Sequence, residues 1–337
     1  MLDDQIISVK EILELEANNQ KIEVKGWIRN KRGGKKTQKL PNMKENIFPP
    51  NGWTPERMPD LTGKTYVITG ATAGTGKEAA KHLIAKGGSV VMLNRNPEKS
   101  QGVIEAIQSE FGADAPIRAI TLDLSDLSSV RRAAAEVLET VPKIDALICN
   151  AAIAQVPKQK LTVDGFESQL GTNHYGHFLL CNLLFDRIEA SSGRVVVVSS
   201  LGYKMGIKRI QFDDVNWDKN YHQNKTYCHS KLAQMMFAYA LQGKVAAAGL
   251  NTRVYVCHPG ASRTSLIETN ANQISKIMFA IVARFPIVQS ATHGAYPQLM
   301  CVTEDGLDQR AFYGPIGRLE FTGPVGKGVL HDYAYDP

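Results

Sequence analysis

Lys64-Thr-Tyr-Val-Ile-Thr-Gly-Ala-Thr-Ala-Gly-Thr-Gly76 decides how the rest of this chain is read. Lys64 to Thr69 has the content of a short buried strand, and Lys77 to Lys86, rich in Ala, Lys, Glu and Leu, has that of a helix. Gly70, Gly74 and Gly76 stand between them. Strand, glycine-rich turn and helix in this order aim the unpaired N–H groups of a helix start at a phosphate, and residues without Cβ let the ligand approach bare backbone. Gly70 can take the tight turn, while Gly74 and Gly76 leave room for a pyrophosphate and for close packing of helix on strand. The spacing is Gly-x-x-x-Gly-x-Gly, not the commoner Gly-x-Gly-x-x-Gly, so the meaning of the turn depends on the strands and motifs downstream of it.

Strands and helices alternate beyond the turn, with strand-like runs near 89–94, 117–122, 144–149, 194–199 and 252–257. The runs are continuous, as in Arg194-Val-Val-Val-Val-Ser199, which is the pattern of a parallel sheet covered on both faces. This predicts an α/β fold, a Rossmann-type doubly wound parallel sheet over residues 61–337, with ligands at the carboxyl ends of the strands. Phe312-Tyr-Gly-Pro315 reads as the last edge strand, in a tail rich in Gly and Pro. Upstream, five prolines between Pro41 and Asp60 make residues 46–60 read as an extended linker, and residues 1–45 as a basic N-terminal extension.

At 337 residues, 43% hydrophobic and 21% charged, the chain can bury a full core and has the composition of a soluble globular protein. Its net charge of +6 is uneven: Lys21, Lys25, Arg29, Lys31, Arg32, Lys35, Lys36, Lys39 and Lys44 face only Glu23 in that stretch. Cys149, Cys181, Cys228, Cys257 and Cys301 have neither Cys-x-x-Cys nor zinc spacing, which reads as reduced structural thiols, a cytoplasmic location and no metal site. An 18-residue apolar run is absent and the first residues are acidic, so neither a membrane span nor a secretory signal is expected.

Each strand end carries a residue of interest. Asn94 and Arg95 follow the second strand, where a carboxylate would be expected to hold the ribose 2′-hydroxyl of NAD; a neutral Asn94 and a cationic Arg95 favour a 2′-phosphate instead. Arg95 as an ordinary surface charge is the competing reading. Leu122-Asp123-Leu124 closes the third strand and Cys149-Asn150-Ala151-Ala152 the fourth. Asn173, then Ser199-Ser200, then Tyr227 and Lys231, then Pro259-Gly260 come next. Four residues apart on a helix, Tyr227 and Lys231 share a face, and an ammonium there would stabilise the phenolate and lower a pKa ordinarily near 10. A tyrosine so tuned exchanges a proton with an alcohol near neutral pH.

Taken together, Thr69-Gly-x-x-x-Gly-x-Gly76, Asn150-Ala-Ala152, Asn173, Ser200, Tyr227-x-x-x-Lys231 and Pro259-Gly260 resemble the short-chain dehydrogenase/reductase family, from about Leu61 to Thr264. Thr172-Asn-His-Tyr-Gly-His-Phe-Leu179, Tyr227-Cys-His-Ser-Lys-Leu-Ala233 and His258-Pro-Gly260 are most similar to its retinol dehydrogenase and protochlorophyllide reductase branch. Ala151-Ala152 stands where most members have Ala-Gly, and the Ser200 to Tyr227 interval is longer than usual. The resemblance implies Tyr227 as general acid or base, Lys231 lowering its pKa and holding the nicotinamide ribose, Ser200 (with Ser199 as the alternative) positioning the substrate oxygen, and Asn173 holding a water. It implies NADP(H) bound by Gly70, Thr72, Ala73, Gly74, Thr75, Gly76, Asn94, Arg95, Asp123, Leu124, Asn150, Ala151, Ala152, Tyr227, Lys231, Pro259, Gly260, Ser262 and Thr264. His174, His177, His229 and His258 read as packing or hydrogen-bonding residues, and Cys228 as inert.

The expected activity is therefore NADP-dependent interconversion of a carbonyl and an alcohol on a small hydrophobic substrate, in a chain compatible with a homo-oligomer. Ile274 to Val288 reads either as a substrate lid, its place in the family, or as a buried helix. Two rivals compete: light-driven pigment reduction of the protochlorophyllide reductase kind, and nucleic-acid binding through the basic arm, which the complete catalytic set disfavours. Residues 1–40 also resemble the start of the anticodon-binding OB domain of asparaginyl-type tRNA synthetases, but are too short to close a barrel.

Overall fold

A computed structural model describes residues 43–262 and 288–335. The basic arm with its OB-like stretch, Thr264 and the segment 274–287 lie outside the described residues.

Eight strands form one sheet: β1 (Thr65–Thr69), β2 (Ser89–Asn94), β3 (Ile117–Thr121), β4 (Ala146–Cys149), β5 (Arg194–Val198), β6 (Arg253–Cys257), β7 (Phe312–Pro315) and β8 (Val325–Lys327). Their order is β3-β2-β1-β4-β5-β6-β7-β8. All neighbours pair parallel except β7 and β8. The central strands are buried on both faces, as in the Val195–Val198 run, and this is why they read as unbroken apolar stretches. The order reverses beside β1, so the crevice at the carboxyl ends of β1 and β4 is the expected ligand position. Among the described residues six longer helices accompany the sheet: α1 (Gly74–Ala85), α2 (Pro97–Phe111), α3 (Leu127–Thr140), α4 (Gly176–Ala190), α5 (Gln223–Ala247) and α6 (Ala291–Thr303).

Two boundaries differ from the sequence reading. Phe312–Pro315 is a strand but not the edge, because Val325–Lys327 pairs antiparallel outside it; three residues with a glycine in the middle, between Pro324 and Gly328, are too short to register as a period-2 pattern. Residues 46–60 do not hang as a linker. Glu45 exchanges two main-chain hydrogen bonds with Lys327, Trp53 is 1% exposed, and the Trp53 indole donates to the Glu304 carboxylate at 2.8 Å. Arg57 pairs with the same carboxylate at 3.0 Å and lies over the Phe48 ring. The prolines stiffen this strap; they do not detach it.

Candidate active site

The glycine turn forms as its sequence requires. Gly70 and Gly74 have φ of 70° and 57°, the left-handed region open to glycine, and a Cβ at Gly70 would stand 2.8 Å from Ala151 Cα. A Cβ at Gly76 would fall 2.5 Å from Asn150 Nδ2. Helix α1 starts at Gly74, with no side chain capping it at Ala73. Its first N–H groups therefore lack a side-chain acceptor, and the helix start carries the positive end of the dipole, which suits a pyrophosphate. Thr72 is half-buried and Ala73 exposed at the mouth of this turn.

Several residues expected to touch the cofactor also brace the local backbone with their own atoms. The Asn94 amide is 4% exposed; its Oδ1 accepts from Ala71 N at 2.7 Å and its Nδ2 donates to Ser100 at 3.1 Å. Asn150 donates to the carbonyls of Thr69 and Gly70, both at 3.0 Å, and accepts from Thr75 at 3.0 Å. Asp123 accepts from Ser125, and the Leu124 carbonyl lies against Gly176 at the start of α4. Arg95 is exposed and has no partner among the described residues.

Between the turn and helix α5 runs a buried polar chain. The N–H groups of Asn150 and Ala151 donate to Thr69 Oγ1, each at 3.0 Å, and the Thr69 hydroxyl meets His177 Nε2 at 2.8 Å. His177 Nδ1 meets the Asn173 carbonyl at 2.9 Å; a carbonyl only accepts, so the proton is on Nδ1 and Nε2 accepts from Thr69. Asn173 sits in a one-turn π segment, Gly171–Tyr175, a local irregularity frequent at functional sites. Its amide is fully engaged: Oδ1 accepts from Ile153 N at 2.8 Å, and Nδ2 donates to Ile153 O and to Ser230 Oγ, both at 2.9 Å. Ser230 in turn donates to the Tyr227 carbonyl at 2.8 Å.

Helix α5 brings Tyr227 and Lys231 to the end of β5. Ser200, just past β5, accepts from Gly202 N at 3.0 Å and makes a hydrogen bond that acts to lower the Tyr227 pKa. Burial outweighs that bond and pushes the Tyr227 phenol up to about 12. This differs from the expectation of a tyrosine lowered by its lysine. Lys231 Nζ is 5.9 Å from the ring centroid and is itself lowered to about 7 by burial, so near neutral pH it carries only part of a charge. Ser199 is buried and donates to the Lys231 carbonyl at 3.1 Å, which leaves Ser200 as the serine beside the tyrosine. Lys231 Nζ donates to Val198 O at 3.0 Å and to Gln234 Oε1 at 2.8 Å.

Beyond β6, Gly260 has a φ of 64° and Ser262 donates to the Pro259 carbonyl at 2.5 Å. His258, buried against the Phe312 ring at 4.5 Å, accepts from Gly260 N, and burial lowers its pKa to about 3. His229 accepts from the Trp217 indole at 3.1 Å, and His174 packs against Phe178 and Phe237. Among the described residues no group of His, Cys, Asp and Glu could hold a metal. Cys228 is buried and its thiol is pushed up to about 11, far from a reactive thiolate. Sequence reasoning missed Gly202, where a Cβ would stand 3.3 Å from the Tyr227 ring, and Gln234, which touches Lys231. A glycine two residues after Ser200 was a usable signal for the first; the second left none, since a glutamine on a helix is ordinary.

A doubly wound sheet with a glycine turn, a helix-borne Tyr227 and Lys231, and Ser200 at the neighbouring strand end defines a nucleotide-dependent oxidoreductase scaffold. The chain belongs to the short-chain dehydrogenase family: residues 64–212 match that family, and human retinol dehydrogenase 11 is 36% identical over 249 residues, covering 74% of this chain and 75% of that protein. Human retinol dehydrogenase 13 is 39% identical over 208 residues, and the chain spans 61% of its length. An uncharacterised protein of known structure from Mycobacterium paratuberculosis is 36% identical, with a TM-score of 0.66 over 84% of this chain and 91% of its own. Levodione reductase, at 19% identity and a TM-score of 0.59, shares the fold over 73% of this chain and 92% of its own. No helix among the described residues is long and apolar enough to cross a membrane.

Proposed function

We propose that this chain is an NADP-dependent oxidoreductase that interconverts a carbonyl and an alcohol on a hydrophobic substrate, with Tyr227 as the proton donor and acceptor. The observation carrying this reading is the placement of Ser200, Tyr227 and Lys231 together at the end of β5, next to the crevice above β1 and β4. The names of the retinol dehydrogenase relatives support the hydrophobic substrate class.

The residues present fit the cofactor: an uncapped helix start for a pyrophosphate, glycines where a Cβ would collide, and an unpaired exposed guanidinium where a 2′-phosphate would lie. When bound, the nicotinamide supplies or takes the hydride, which is the step the protein cannot perform itself. Ser200 and Tyr227 hydrogen-bond the substrate oxygen and fix it. In reduction the Tyr227 hydroxyl gives its proton to that oxygen as negative charge develops there. A phenol held near 12 is protonated throughout the neutral range and so is set up as the acid for this direction. Lys231, partly charged and close to the ring, stabilises the phenolate left behind.

Tyr227→Phe tests the assignment. It removes the hydroxyl and keeps the ring, so turnover should fall about 10²- to 10⁴-fold while NADPH affinity stays within a few fold. Near-normal turnover in that variant would overturn the role of Tyr227. Absorbance of a tetrapyrrole co-purifying with the protein would favour pigment reduction instead.

A further inference from the structure

Gln234 lies one turn beyond Lys231 on α5 and is 1% exposed. Its Oε1 accepts from Lys231 Nζ at 2.8 Å, whereas its Nε2 is buried without a partner among the described residues. A buried amide with an unmet donor is costly, and an apolar side chain of similar volume would avoid the cost. With the lysine protonated the orientation of the amide follows from its chemistry: an ammonium only donates, so the oxygen must face it. The lysine's other bond, to Val198 O at 3.0 Å, ties it to the end of β5, directly before Ser199 and Ser200. Two acceptors therefore hold Nζ, and one N–H remains for the site.

We infer that Gln234 is a positioning residue of the reaction: its side-chain oxygen holds the Lys231 ammonium between α5 and the end of β5 and keeps the lysine protonated beside Tyr227. The inference rests on the oxidoreductase reading above only for its catalytic consequence; the contact itself does not depend on it. Other titratable groups facing Lys231 are few. The Cys149 thiol at the end of β4 and the Cys257 thiol at the end of β6 act on it, His177 on α4 feels its charge, and Tyr227 shares its helix face. Both thiols are buried, and burial holds His177 neutral with its pKa lowered to about 4. None of these is a carboxylate: burial lowers the lysine most, Cys257 and Cys149 act to raise it, and the Gln234 oxygen and the Val198 carbonyl are the acceptors that its Nζ meets directly.

Removing an acceptor from a charged donor should lower the lysine's midpoint by roughly one to two pH units. The test is a titration of the ligand-free full chain with ¹³C-labelled lysine side chains, the Lys231 signal being assigned by its loss in Lys231→Met. Gln234→Leu is expected to move the Lys231 midpoint down by about one unit or more, and Gln234→Glu to move it up, since a carboxylate replaces the amide. In the same variants the acid-base limb of kcat/KM for carbonyl reduction should move in the same directions while the Kd for NADPH changes less than threefold. Midpoints within a few tenths of a unit of wild type in both variants would overturn the inference. Should Gln234→Leu not fold by circular dichroism, Gln234→Glu and Gln234→Asn decide: an upward shift in the first and a downward one in the second support it, and no shift in either overturns it. Shifted midpoints without turnover on any carbonyl would sink the oxidoreductase reading and still support the hold of Gln234 on Lys231.

Discussion

Arg95→Ala is expected to weaken NADPH binding by about one to two decades and NADH binding far less, because only NADPH offers a 2′-phosphate to the guanidinium and a charge-assisted hydrogen bond is worth roughly 1.5–3 kcal/mol. Fluorescence titration with both cofactors reads this directly, and equal losses would remove the argument for NADP. Asn94, whose amide is closed off by Ala71 and Ser100, should when changed to Ala lower stability more than cofactor choice. Tyr227 gives a second expectation at this scale. Oxidation of an alcohol needs the phenolate, and a phenol held near 12 is scarcely ionised at pH 7, so kcat/KM for oxidation should climb close to tenfold per pH unit between about pH 7 and pH 9. Reduction uses the protonated form and should be much flatter over that range. A flat oxidation profile would mean that the phenol titrates lower in the working enzyme, as its pairing with Lys231 alone would suggest.

At the scale of elements, the strap from Glu45 to Asp60 changes how the chain can be cut. Deleting residues 1–42 should leave turnover within a few fold, because among the described residues the contacts that tie this segment down begin with Lys44, which donates to Gly317 O at 2.8 Å, and Glu45. Deletion to residue 58 removes buried Trp53 and its bond to Glu304, as does Trp53→Ala, a loss of the kind that costs about 3–5 kcal/mol. Thermal midpoints of the two truncations and the point variant check this; equal midpoints for all would show that the strap carries no stability. The alternation of β1 to β6 with helices could be read from the sequence because the central strands β2, β4 and β5 are apolar runs buried on both sides. Met43 to Met58 could not, since prolines carry the same local signal whether the chain hangs free or lies over a core, and long-range contacts such as those with Glu304 and Lys327 tell them apart. The same limit applies to the site. Tyr227, Lys231 and the glycines declare themselves by spacing, whereas the closing off of Asn94 and the contact of Gln234 with Lys231 depend on which neighbours the fold delivers.

For the whole molecule, a hydrophobic substrate class predicts a graded response. If the site buries an alkyl chain, each added methylene in a series of linear aldehydes contributes about 0.8 kcal/mol, so kcat/KM should rise roughly fourfold per carbon until the pocket is full. Met278→Ser with Phe279→Ser should flatten that series without changing NADPH affinity if the segment Ile274 to Val288 lines the substrate. A wild-type series with no dependence on length would reopen the substrate class. Another property of the molecule comes from the way β8 is finished. The outer side of a sheet's last strand offers unmatched N–H and C=O groups that can recruit a foreign strand. Here Glu45 lies on β8 and closes it with two main-chain bonds to Lys327, so close to Gly326 that any side chain at that position would strike the Glu45 carbonyl. The strap is thus also a guard against self-association: a version of the protein cut just past Glu45 would be expected to keep its catalytic groups in place and yet grow cloudy on concentration, failing as a colloid before it fails as an enzyme.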